Sequence, residues 1–131
     1  MEEALVARLL GATALTALTS TRVYWNHAPQ NVAKPYIVMY RVSGNRDMKM
    51  TGATGLVESM VQIDCFGTTY ASAKGVARQV ETRLSGYAGT QSSIIFDVCI
   101  LIAERDGFEP DASPDDLHRV SLDFTIWHKG V

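Results

Sequence analysis

No apolar run in this chain approaches the ~18 residues that a membrane-spanning helix requires. Cysteine is scarce as well. Cys65 and Cys99 are the only two and lie far apart, which excludes a disulfide scaffold and points to a reducing compartment. Four prolines exclude a collagen-like chain. There is no excess of basic charge: 12 Lys+Arg stand against 14 Asp+Glu, a formal net charge of −2. A dedicated nucleic-acid binder normally carries a basic face, so that class is disfavoured. The opening Met1-Glu2-Glu3 is acidic, whereas a secretory signal begins basic, so none is expected.

What is present is an ordinary globular composition, 47% hydrophobic and 20% charged over 131 residues. Such a chain buries roughly two-thirds of its unfolded surface, enough for one core. A single domain over 1–131 is expected.

Segment 2–18 reads as helix, since Leu5, Val6, Leu9 and Leu10 recur at helical spacing. Gly11 and Thr13 favour a short helix followed by a second turn over 14–18. Segment 21–24 reads as a short extended piece, and 26–35 as loop because of Pro29, Asn31 and Pro35. Segment 36–43 is β-branched and aromatic, hence strand. The polar, Gly-rich stretch 44–55 reads as an unusually long hairpin tip. Along 56–66, Val57, Val61, Ile63 and Cys65 alternate with Glu58, Gln62 and Asp64, the pattern of a half-buried antiparallel strand.

Segment 68–84 is the clearest helix. Thr68 or Thr69 can cap it, Tyr70, Ala73, Ala77, Val80 and Leu84 form its apolar stripe, and Gly86 stops it. Segment 87–93 reads as loop and 94–105 as strand, with Phe96, Val98, Ile100 and Ile102 on one face. Segment 106–116 reads as loop. The last strand spans 117–128, where Val120, Leu122, Phe124 and Ile126 alternate with polar residues. The expected fold is α+β: a four-stranded antiparallel sheet with helices on one face, in the order helix-strand-strand-helix-strand-strand.

Motifs of catalysis are missing. Thr51-Gly52-Ala53-Thr54-Gly55 lacks the Gly-Lys-Ser/Thr ending of a phosphate loop and precedes a strand rather than a helix. Its Gly-x-x-Gly spacing is shared with the KH nucleic-acid loop, which lies between helices. His118 with Asp115 and Asp116 is an incomplete metal set. Cys65 follows Asp64 with no nearby basic group to lower its pKa, both cysteines fall in expected strands where a thiol is usually buried and inert, and no nucleophile elbow or HExxH occurs. Neither a catalytic nor a metal site, nor any cofactor, is expected.

Two charge features stand out. The hairpin tip alternates Arg46, Asp47 and Lys49 with Met48 and Met50, a set suited to an adaptable protein contact or to a solvated loop. Segment 104–116 holds Glu104, Asp106, Glu109, Asp111, Asp115 and Asp116 against only Arg105. It is either a solvated loop or a surface that repels DNA phosphates. Residues 1–65 hold six basic and five acidic groups, residues 66–131 six and nine, so the excess acid sits in this second half.

The blocks EEALVARLL, TRVYWNHAPQ, PYIVMYRVSG, GNRDMKMTGATGLVESMVQIDCFG, TYASAKGVARQV and LHRVSLDFTIWH, in this order and spacing, resemble the tail-completion (tail-terminator) proteins of long-tailed phages and gene transfer agents. The resemblance spans nearly the whole chain. It implies a non-enzymatic virion component, made in the bacterial cytoplasm and resident at the head–tail junction. It implies a homo-oligomeric ring, typically a hexamer, that caps the head-proximal end of the tail tube, stops polymerisation and meets a neck or head-completion protein. DNA passes through such a ring unbound, and no membrane is involved. On this resemblance, Arg46, Asp47, Met48, Lys49 and Met50 contact a neighbouring subunit or the tube-forming protein. Glu109, Asp111, Asp115 and Asp116 are candidates for the lumen. The alternatives are a head-side neck ring, a KH-like nucleic-acid module and a small enzyme.

Overall fold

The computed structural model describes residues 2–26, 35–49, 52–91, 94–109 and 117–130. The described elements are α1 (Glu2–Leu10), α2 (Thr13–Thr19), β1 (Val23–Trp25), β2 (Tyr36–Lys49), β3 (Gly52–Gly67), α3 (Tyr70–Leu84), β4 (Gly89–Gln91), β5 (Ile94–Glu109) and β6 (Leu117–Gly130). The expected α+β class holds, with one sheet, but that sheet has six strands in the order β1-β2-β3-β6-β5-β4. Four strands were expected. The two extra ones are three-residue edge pieces, too short to leave a periodic signature in the sequence. The sheet is also not purely antiparallel, because β1 pairs with β2 in parallel, from Val23 opposite Ile37 to Trp25 opposite Met39.

One face of the sheet meets the helices. Leu5 and Leu9 of α1, Leu15 of α2 and Ala73, Val76, Ala77, Val80 and Leu84 of α3 pack on Ile37, Met39, Val61, Ile63, Cys65, Val120, Leu122, Phe124 and Ile126. The alternation in β3 and β6 produces this face directly. The break at Gly11 and Ala12 separates α1 from α2, as the sequence indicates.

The Thr69 hydroxyl caps α3 by accepting from the Ser72 amide at 3.1 Å, and Gly86 ends it with φ of 75°. Gly67 is required at the β3–α3 corner, since a Cβ there would lie 2.8 Å from the Ala73 nitrogen. The first and third helices are laced together across the chain. The Arg83 Nε donates to the Arg8 carbonyl at 2.9 Å, and the Arg8 guanidinium lies 3.7 Å from the centre of the Tyr87 ring.

β5 departs from simple alternation. Register shifts between Phe96 and Val98, and again between Leu101 and Ala103, each change which residues face the helices. Phe96 and Cys99 are buried, whereas Ile100 is 45% and Ile102 56% exposed. The expected common face of Phe96, Val98, Ile100 and Ile102 is therefore split, because each bulge inverts the parity that the sequence pattern assumes.

Candidate assembly surfaces

The helix-free face of the sheet carries two kinds of surface. Toward β1 and β2, Val38 and Phe66 are buried beneath half-buried Tyr24, Tyr36 and Tyr40. Tyr36 and Phe66 stack with ring centres 4.8 Å apart. Toward β6, the surface is polar and internally satisfied. Asp64 is only 3% exposed and accepts from the Ser121 hydroxyl at 2.7 Å and from the Gln62 amide at 2.9 Å. Arg105 forks onto both oxygens of Asp123.

In the stretch read as an unusually long hairpin tip over 44–55, the described residues 44–49 and 52–55 lie in paired strands. β2 and β3 remain paired out to Met48 opposite Ala53 and Lys49 opposite Gly52. The sequence was misleading because its glycines and polar residues are those of turns, whereas ladder pairing is made by backbone groups that every residue except proline carries. β6 joins β3 only from Val57 onward, so the part of β3 before Val57 is paired with β2 alone. The result is a two-stranded arm continuing past the four-stranded body by about 16 Å at ~3.3 Å per residue.

The backbones of Arg46, Asp47, Met48 and Lys49 are brought together on this arm, with a register shift between Arg46 and Met48. Met50 lies outside the described residues.

The acidic segment is also differently built. The strand runs four residues beyond its expected end at Arg105, to Glu109, which pairs with Leu117. Glu104 and Asp106 face α3. Lys74 forms an ion pair with Glu104, lies 4.0 Å from Asp106, and has its pKa raised mainly by the hydrogen bond to Glu104. The Tyr70 hydroxyl donates to Asp106 at 3.3 Å. These two carboxylates thus serve helix docking. Asp111, Asp115 and Asp116 lie outside the described residues.

Sequence reading missed the buried pair Ser59 and His128, whose Oγ and Nε2 are 2.8 Å apart. Only the register of β3 against β6 brings them together, since Val57 is opposite His128. Ser59 is fully buried, so the pair satisfies core polar groups and offers no nucleophile to solvent. Burial raises the Cys65 thiol strongly, and raises Cys99 to about 11 against a partial opposing effect of the Arg8 charge. Among the described residues, no group of three His, Cys, Asp or Glu residues is placed to hold a metal. No described helix is long and apolar enough to cross a membrane.

Comparison with known proteins follows the same direction. The family described as Tail completion protein gp17 matches residues 3–129. A chain in a solved structure described as "Virion of native gene transfer agent (GTA) particle" has the same fold, with a TM-score of 0.78 and 22% identity. The match covers 99% of this chain and 95% of that one. A second solved chain aligns with a TM-score of 0.57 and 14% identity over 96% of this chain and 95% of its own length. No curated protein matches.

Proposed function

Since this chain belongs to the tail completion protein gp17 family, we propose that it is a structural, non-enzymatic component of a phage or gene transfer agent tail. It forms a ring, typically a hexamer, on the head-proximal end of the tail tube. The ring ends tube polymerisation and presents a surface to the neck protein, and DNA passes through its lumen unbound. The observation that carries this reading is the family match over residues 3–129. The whole domain, rather than a grafted motif, is the unit shared with that family.

The structure supports the reading in two ways. The polar groups with chemical potential, Ser59 with His128 and Asp64 with Ser121, are buried and bonded to one another. The arm formed by β2 and β3 extends past the body of the sheet. Isolated two-stranded hairpins are marginal in water, so an arm of this kind suits docking on a neighbour. Arg46, Asp47 and Lys49 then supply polar register, and Met48 and Met50 adaptable packing.

Electron microscopy of tails assembled with and without the protein tests this reading. Loss should give abnormally long or unjoined tails. Tails of normal length that join heads without it would overturn the proposal. Binding to purified tube protein, rather than to portal or adaptor, separates it from a head-side neck ring.

A further inference from the structure

Two lengths of sheet edge have no strand partner among the described residues. On β5, β4 covers only Ile94 to Phe96. Cys99 is met by the segment before β4, with the Gly86 amide donating to the Cys99 carbonyl at 2.8 Å and the Cys99 amide to the Tyr87 carbonyl at 3.0 Å. Beyond this point, residues 100–109 pair only with β6. On β2, β1 covers Ile37 to Met39, and residues 42–49 pair only with β3.

Among the described side chains of these two edges, three aliphatic ones are exposed: Val42 at 58%, Ile100 at 45% and Ile102 at 56%. Edges that remain solitary are usually short or guarded by lysine, proline or a bulge. Val42 and Ile102 do sit at register shifts, but β5 then runs in unbroken register from Ala103 to Glu109. A long regular edge flanked by β-branched side chains is a template for another strand.

Strand polarity identifies a suitable occupant. β2 with β3, β3 with β6 and β6 with β5 are all antiparallel, so β2 and β5 run in opposite directions. A second copy set beside the first, without being turned over, presents its β2 antiparallel to β5. Its helices then stay on the same face. We infer that residues 42–49 of one copy pair with residues 100–109 of the next, so that the sheet continues from subunit to subunit.

The two surfaces differ, so the contact is head-to-tail and can repeat until it closes. The edges lie at different heights, since Ser43 is level with Ile100 through Met60 and Thr125. Aligning their middles displaces the neighbour by roughly six residues, ~20 Å at ~3.3 Å per residue. Closed sheets with tilted strands require a stagger of this kind. The inference deepens the ring reading and rests on it, by naming the surface through which copies meet.

The test uses the full chain with single introduced cysteines, Val42→Cys or Asn45→Cys for one edge and Ile100→Cys, Ile102→Cys or Arg105→Cys for the other. Native Cys65 and Cys99 are buried and give the background. Subunits from the two sets are mixed, assembled on tail tubes and oxidised. At least one cross-set pair should yield disulfide-linked dimers, and no variant should link to itself. Ile102→Lys should reduce ring yield at least tenfold, with the melting temperature of the free subunit unchanged. Capped tails with no cross-set link, links only within one set, or full ring yield from Ile102→Lys would each overturn the edge pairing. The ring reading would survive those results. It falls separately, on the wild-type tail-length assay.

Discussion

Cys99 illustrates how burial governs chemistry at a single residue. Its thiol is raised to about 11 from an ordinary value of 9.0, chiefly because the core disfavours the thiolate. Since the folded pKa lies above the unfolded one, this contribution to stability is complete below about pH 9 and is lost as pH rises through 11. The urea midpoint should therefore fall between pH 9 and 11, and Cys99→Ala should flatten that slope. Alkylation at pH 8 should be slow for both cysteines in the native protein and complete after unfolding.

Gly67 makes the converse point, because space rather than charge is limiting. Gly67→Ala pushes a methyl against the Ala73 backbone, and should cost ~1–3 kcal/mol in denaturant unfolding. Wild-type stability in that variant would show that the β3–α3 corner can shift freely.

Among the elements, α3 and the arm contrast sharply. α3 combines a cap, an apolar stripe and a glycine stop, and each was legible because each acts within a few residues. Tyr70, expected on the apolar stripe, is instead 46% exposed and turned toward Asp106. That contact arises from a strand 36 residues away, beyond the reach of helical periodicity. The arm gave the opposite result. Its composition signals a loop, yet its backbone keeps ladder pairing to Lys49 and Gly52. Deleting residues 45–54 should leave the body folded, because β6 joins β3 only from Val57 onward and the described part of β3 before it pairs with β2. A cooperative thermal transition together with loss of tail capping is the expected outcome. Normal tail lengths would show that the arm has no part in assembly.

For the whole molecule, charge placement separates conduit from binder more sharply than the net value of −2. Glu104 and Asp106 are engaged with Lys74 and Tyr70 of α3. On the proposed ring reading, the candidates for a field acting on DNA are then the other acidic residues of the segment. Neutralising Asp111, Asp115 and Asp116 together should slow DNA delivery without preventing ring assembly, if these residues line the lumen. Delivery at the wild-type rate would remove that assignment.

Local patterns in the chain by themselves determined the α+β class, the helix boundaries near Gly11 and Gly86, the helix-facing residues of β3 and β6, and the familiar order of blocks. Each depends on spacing or on the stereochemistry of neighbouring residues. Only the tertiary structure decided the six-strand order, the parallel β1, the split face of β5, the Ser59–His128 pair and the two edges that have no strand partner among the described residues. Those features depend on register and on bulges. One extra residue in a strand exchanges the two faces of everything that follows, and its position is set by the partner strand rather than by the sequence on either side.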